Sequence, residues 1–251
     1  MELYVRDIAR ILRVPERTVD RWVRQEKLPA ELVAGQYRFN RAEVFEWAMS
    51  RQMDIPPEIV NDGTAELDES VNLATALKNG GDLRDVAGSE KESVLRAIVD
   101  RMSLPDAVDR DLLWQLLVQR ERAGSTGIGG GIALPHPRHP VVLPVSVPSI
   151  TLCFLRQPID FGARDGIAVH TLFVLVSRSV RSHLTLLAQV ATALNNQRFR
   201  ELIIGKSGFD AILTEARRFQ STVKPKLGKP ASAKSAPAKP ASGNGTSRNH
   251  E

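Results

Sequence analysis

The sequence predicts a layered α/β domain preceded by a small, mainly helical one, and three observations carry that reading. Residues 68–218 alternate stretches of helical apolar period with short runs rich in Val, Ile, Phe and Thr, as expected of helices packed on a sheet. Residues 1–51 are dense in arginine and helix-periodic. Sharp shifts of composition separate the pieces. A Pro-Pro pair and an Asp-Gly mark residues 52–67 as a linker. Residues 219–251 are Lys, Pro, Ala, Ser and Gly, with almost no large apolar side chain after Leu227. Such a tail buries too little surface to offset its chain entropy and is expected to be disordered.

The elements follow in order. Val5 to Leu12 forms a helix with Ile8, Ala9 and Leu12 inward. Pro15 suits the first turn of a second helix, Glu16 to Gln25, whose packing stripe is Val19, Trp22 and Val23. Arg17, Arg21 and Arg24 lie at i, i+4 and i+7 and share its outer face. Val33 to Phe39 reads as a hairpin around Gly35, and Arg41 to Met49 as a third helix burying Val44, Phe45 and Trp47 or Ala48. In the larger segment, Ser89 to Met102 places Val94, Leu95, Ile98 and Val99 on one face, with Ser89 as N-cap. Val108 to Glu121 repeats the pattern with Leu112, Leu113, Leu116 and Leu117. Ser149–Leu155 and Val169–Val176 suit buried strands. Helices over Ser182–Asn195 and Gly208–Phe219 complete the domain.

Composition bounds the function. The chain has 251 residues, 42% of them apolar and 25% charged, enough for a sizeable core. Its most apolar run, residues 170–177, is strand-sized and far short of the roughly 18–20 residues of a membrane helix. Glu2, Arg6, Asp7 and Arg10 do not suit a secretory signal, so a cytoplasmic protein is expected. Cys153 is the one cysteine, set among apolar neighbours as a packed thiol. The net charge of +5 misleads until it is mapped, because residues 219–251 hold six basic groups against one acidic. Residues 1–52 hold ten against eight, and residues 53–218 hold 18 against 20. The overall basic balance therefore says nothing about nucleic-acid binding by the folded part.

Helix, tight turn, helix with a basic outer face, then a hairpin wing is a helix-turn-helix layout. Residues Tyr4 to Val23, then Lys27-Leu-Pro29 and Gly35-Gln-Tyr-Arg-Phe39, resemble the excisionase-like branch of the MerR-type winged helix-turn-helix family over about residues 3–50. The resemblance implies that Arg17, Thr18 and Arg21 face the major groove, with Arg24 near phosphate and Tyr37 and Arg38 at the wing. Glu31 and Gln36 stand where family members often carry basic residues. The arginine stripe can equally be a solvated face balanced by Glu16 and Asp20, which leaves a protein-docking use of the same layout open.

The most informative stretch is Arg120-Glu-Arg-Ala-Gly-Ser-Thr-Gly-Ile-Gly-Gly-Gly-Ile-Ala-Leu-Pro-His136. Gly124 can stop the preceding helix, and five glycines from 124 to 131 let backbone N–H groups approach an anion. Pro135 stiffens the chain before His136. An imidazole fixed beside such a loop and arginines suits a phosphoryl acceptor. The string lacks the order of a P-loop or a dinucleotide fingerprint. It is similar to the phosphorylation motif of the phosphotransferase-system enzyme IIA domain, in its fructose/mannitol and nitrogen-regulatory class, through Gly124-Ser-Thr-Gly-Ile-Gly129 and Gly131-Ile-Ala-Leu-Pro-His136. The resemblance covers roughly residues 68–218, including Gln157-Pro-Ile-Asp-Phe161 and His183-Leu-Thr-Leu-Leu-Ala188. It implies a mixed β-sheet flanked by helices on both faces. It also implies that His136 carries the phosphoryl group, that His183 is the second active-site histidine, and that Arg120 is the active-site arginine. Gly124, Ser125, Thr126, Gly127 and Gly129 would form the phosphate loop. Pro137-Arg-His-Pro140 departs from the pattern, where a small residue is commoner, and His139 adds a nearby imidazole.

Three functions stay open at this stage. One is a transcription-linked regulator phosphorylated by an HPr-type phosphocarrier and binding DNA. Another is a sugar-transport component passing phosphate to a IIB domain. The third is a non-catalytic partner whose interactions depend on phosphorylation. No cofactor is expected, and the histidines and carboxylates show no known metal-ligand spacing. A phosphoryl group at His136, with Arg120, Arg122 and Arg138 near in sequence, is expected to draw in the basic helix face or the lysine tail and mask the DNA-facing arginines.

Overall fold

The computed structural model describes residues 3–51, 53, 71–138 and 143–223. The expected linker and tail, and His139, fall almost wholly outside those residues.

The N-terminal unit runs β1 (Leu3–Tyr4), α1 (Val5–Ile11), α2 (Glu16–Gln25), β2 (Glu31–Val33), β3 (Gln36–Phe39) and α3 (Arg41–Ser50). Its strands form an antiparallel sheet in the order β1-β3-β2, with Leu3 opposite Phe39 and Val33 opposite Gln36. The hairpin turn is Ala34-Gly35, and both residues take positive φ (49° and 78°), as a tight two-residue turn requires. Asp7 accepts from the Tyr4 amide, and the Asn40 side chain caps α3 by accepting from the Ala42 amide. Ile8, Val19, Phe39, Val44 and Phe45 are fully buried between these elements. Trp22 and Trp47 pack at 5.0 Å between ring centroids and tie α2 to α3.

The larger unit runs α4 (Leu73–Gly80), β4 (Asp82–Val86), α5 (Lys91–Arg101), α6 (Arg110–Ala123), β5 (Gly127–Gly129), β6 (Ile132–Ala133), β7 (Ser149–Ile159), β8 (Val169–Val176), α7 (Val180–Asn195), α8 (Gln197–Ile204) and α9 (Phe209–Val223). Its five strands form a mixed sheet in the order β4-β7-β8-β6-β5, antiparallel at β7/β8 and β5/β6 and parallel at β4/β7 and β6/β8. Alternation along β7 decides the layers, because successive side chains point to opposite faces. Ile150, Leu152 and Phe154 join Phe173 and Leu175 under α4, α7, α8 and α9. Cys153 and Leu155 join Leu172, Val174 and Val176 under α5 and α6. Burial on both faces explains why β7 and β8 read as continuous apolar runs.

Several boundaries differ from expectation for local reasons. Helix α5 starts at Lys91, because the Glu90 amide donates to Ser93 Oγ in place of a cap at Ser89. Helix α6 starts at Arg110, since Asp109 accepts from the Asp111 and Leu112 amides. Ser179 caps α7, which therefore begins at Val180. Helix α9 runs on to Val223, beyond Phe219. The Cys153 thiol is buried, and burial pushes its pKa up, as a packed core thiol requires.

Candidate functional site

His136 follows β6, and its backbone is fixed before its side chain is. The Leu134 amide donates to the Thr126 carbonyl at 3.0 Å, and the Leu175 amide donates to the Pro135 carbonyl at 3.0 Å. The chain from β6 to His136 is thereby clamped between the Gly-rich hairpin and β8. His136 Nδ1 lies 2.6 Å from the Leu134 carbonyl. A carbonyl only accepts, so Nδ1 carries the proton and Nε2 is the nitrogen turned into the site.

His183 arrives from the first turn of α7, where its amide donates to the Ser179 carbonyl at 3.0 Å. The two imidazoles meet edge to face, with centroids 4.9 Å apart. They are only 2% and 1% exposed, so no macromolecule can touch them as they stand. His183 Nδ1 reaches Ser177 Oγ at 3.4 Å, while its Nε2 is buried without a hydrogen-bond partner. Burial pushes the His183 pKa down to about 4.

Arg120 comes from the last turn of α6. Its Nη1 caps the helix by donating to the Gly124 carbonyl at 2.8 Å, and its Nε lies 3.2 Å from His136 Nε2. His136, His183 and Arg120, singled out in the sequence far apart from one another, thus meet at one point. Arg122 does not join them. It turns outward and pairs with Glu92 on α5.

The Gly-rich segment is built differently from the expected anion cradle. Gly127–Gly129 is strand β5, paired with β6. The Thr126 amide and hydroxyl both donate to the buried Glu121 carboxylate, the Gly127 amide to Ser125 Oγ, and the Gly130 amide to Asp165. Ser125 Oγ donates to the Phe161 carbonyl, and Lys91 pairs with Glu121 at 3.0 Å. These donors are already satisfied inside the chain. Two of the glycines answer to packing. A Cβ at Gly127 would lie 2.8 Å from that of Ala163, and one at Gly131, whose φ is +75°, would lie 2.5 Å from the His170 ring.

The residue that sequence reasoning missed is Glu46, on α3 of the other unit. Its Oε1 sits 2.8 Å from His136 Nε2 and 3.8 Å from His183 Nε2. Its Oε2 accepts from Arg120 Nε at 3.0 Å and Nη2 at 2.5 Å. One turn earlier on the same face, Glu43 pairs with Arg138 through Nε at 2.6 Å and through Nη2. Burial raises the Glu46 pKa, but His136, His183 and Arg120 together outweigh it and hold the carboxyl well below the usual range. One signal was available in the sequence. Helix α3 buries Ala42, Val44, Phe45, Trp47, Ala48 and Met49, so it is apolar nearly all round and must be covered on more than one side.

Glu46, His136 and His183 present three donor atoms within 4.8 Å of one another, a set that could take a metal ion. Arg120 shares the same space and brings a fixed positive charge, which disfavours a cation there. The other predicted residues sit apart. Arg17, Arg21 and Arg24 are exposed on α2, with Thr18, Tyr37 and Arg38 half-buried beside them or on β3. No helix among the described residues is long and apolar enough to cross a membrane.

Both units are similar to known proteins. The family described as "Phosphoenolpyruvate-dependent sugar phosphotransferase system, EIIA 2" matches residues 82–215, and a helix-turn-helix domain family matches residues 3–52. A "Nitrogen regulatory protein" of Pseudomonas aeruginosa is 36% identical over 135 residues, covering 52% of this chain and 85% of that protein. The "PTS system fructose-specific EIIABC component" of Bacillus subtilis is 27% identical over 132 residues, covering 51% of this chain and 20% of that protein. The crystal structure of nitrogen regulatory protein IIA-Ntr from Neisseria meningitidis is similar at 26% identity and a TM-score of 0.45, covering 54% of this chain and 91% of that one. With over half of its length matched, the chain belongs to the phosphotransferase-system EIIA 2 family and carries a helix-turn-helix domain at its N-terminal end.

Proposed function

We propose that this protein is a phosphoryl-carrier regulator, in which residues 68–218 accept a phosphoryl group on His136 from an HPr-type phosphocarrier. The observation that carries the reading is the anchoring of His136 Nδ1 on the Leu134 carbonyl, which turns Nε2, rather than Nδ1, toward Arg120 and His183. Nε2 attacks phosphorus, Arg120 stabilises the equatorial oxygens, and neutral His183 packs against the acceptor ring and offers its buried Nε2 to a phosphoryl oxygen. Residues 1–51 bind DNA through Arg17, Thr18, Arg21 and Arg24, with Tyr37 and Arg38 on the wing. Residues 52–67 link the two units, and the basic excess lies in residues 224–251, after α9. This reading sets the protein in the cytoplasm, beside its carrier and its DNA.

Incubation with the general phosphotransferase, an HPr-type carrier and labelled phosphoenolpyruvate tests it. Mass spectrometry at neutral or basic pH should find one labile phosphohistidine in the wild type and none in His136→Ala. Normal labelling of His136→Ala overturns the assignment. A second reading, transfer onward to a IIB domain in sugar uptake, draws on the fructose-specific relative. Discharge of the phosphorylated protein by a IIB domain would favour it.

A further inference from the structure

Helix α3 belongs to the N-terminal unit, yet its Glu46 carboxylate stands in the site of the larger one. We infer that α3 is a built-in plug, whose Glu46 takes the place of the incoming phosphoryl group, so that α3 and the phosphocarrier compete for the same face. The inference rests on His136 being the acceptor. Three features of the contact support it.

The first is space. A reacting phosphorus has to come within about 3–3.5 Å of the attacking nitrogen. Glu46 Oε1 already lies 2.8 Å from His136 Nε2. The second is the lone pair. With Nδ1 committed to the Leu134 carbonyl, Nε2 has one in-plane position left. A contact this short with a carboxylate oxygen places a proton between them, which removes the pair needed for attack. The third is charge. The Arg120 edge that would grip phosphoryl oxygens grips Oε2 through two N–H groups. The Glu43–Arg138 pair anchors the same helix face one turn away.

Transfer then requires α3 to leave, with the shared proton going to Glu46 or to solvent. The freed Nε2 pair forms the new N–P bond as the N–P bond of the carrier's phosphoimidazole breaks, and that electron pair returns to the carrier's ring. The product carries about −1.5 to −2 charges, if it behaves as other protein phosphates do, and repels Glu46, so phosphorylation holds α3 off. This reverses the expected coupling, in which the phosphoryl group drew the basic face inward. Here an acidic face docks on the unmodified site, while Arg17, Arg21 and Arg24 stay exposed.

The test uses the full chain in three forms: wild type, Glu46→Ala, and Glu43→Arg, which repels Arg138 while leaving Glu46, His136, His183 and Arg120 intact. Diethyl pyrocarbonate reactivity of His136, read by mass spectrometry, reports access without any carrier. Labelling by the phosphorylated carrier reports transfer. Both variants should raise His136 reactivity about tenfold or more, the factor one close charge pair carries at its weakest. Labelling should rise in parallel. Unchanged reactivity in Glu46→Ala overturns the plug. So does a rise in Glu46→Ala that is absent in Glu43→Arg, since Glu46 would then be a local partner of His136 rather than the tip of a docked helix. If no form is labelled by the carrier, the phosphoacceptor reading fails, while the reactivity measurement still decides whether α3 covers the site.

Discussion

Replacing Arg120 by alanine should slow phosphoryl transfer to His136, and by how much should depend on whether Glu46 is present. In the structure Arg120 does three things. It faces His136 Nε2, it grips Glu46 Oε2, and it caps α6 through the Gly124 carbonyl. The first contact assists transfer and the second opposes it. Removing one charge-stabilising donor costs on the order of 10²-fold in rate. Losing the grip on Glu46 weakens the docked state and offsets part of that loss in the wild-type background. In a Glu46→Ala background there is no grip to lose, so the full deficit of about 10²-fold should appear. Arg120→Lys keeps the charge but not the fork, and should fall between the two. The assay is rapid-quench transfer from a labelled phosphocarrier to four proteins, the wild type, each single variant and the double, at one salt concentration. Equal deficits in the two backgrounds would refute the reasoning, because independent residues contribute additively.

Other consequences follow from the same geometry. His183, whose pKa falls from 6.5 to about 4, should make the fold lose stability as pH drops from 6.5 towards 4, where the unfolded chain takes up a proton that the fold refuses. Thermal melts of His183→Gln should lack that slope. The Glu46 carboxyl, held below its usual value, contributes stability fully above pH 4.5 that is lost as pH falls through its folded pKa. Glu46→Gln should remove only this lower window. Phe173→Ala, at a site 1% exposed beneath the helices, should cost about 3–5 kcal/mol in urea denaturation. Arg21→Ala should weaken DNA binding and reduce the salt slope by about one, measured on full chains so that the basic tail cancels.

Much of this molecule was legible because its signals are local. The apolar runs of β7 and β8, the arginine stripe of α2 and the Gly-rich string ending at His136 each appear within a few residues of sequence. The edge strands β4 and β5 and the helices α4 and α8 were missed, being short, from three to eight residues each. The glycines were legible as a loop but not as to purpose. Gly127 and Gly131 are shaped by Ala163 and His170, which are distant in sequence, and the amides of Gly127 and Gly130 are spent on Ser125 Oγ and Asp165 rather than on an anion. Glu46 was harder to read. The apolar girth of α3 says that the helix is covered on more than one side but not by what, and only docking of one unit on the other brings Glu46 2.8 Å from a histidine 90 positions away.

The central claim is that His136 Nε2 is the phosphoryl acceptor, and the most direct measurement is the position of the label itself. Long-range proton–nitrogen NMR of the phosphorylated, nitrogen-15-labelled chain distinguishes the two ring nitrogens of each histidine. Because Nδ1 is committed to the Leu134 carbonyl, the account predicts one phosphohistidine, at residue 136 and substituted on Nε2. Phosphorylation on His136 Nδ1, or on His183, would contradict it.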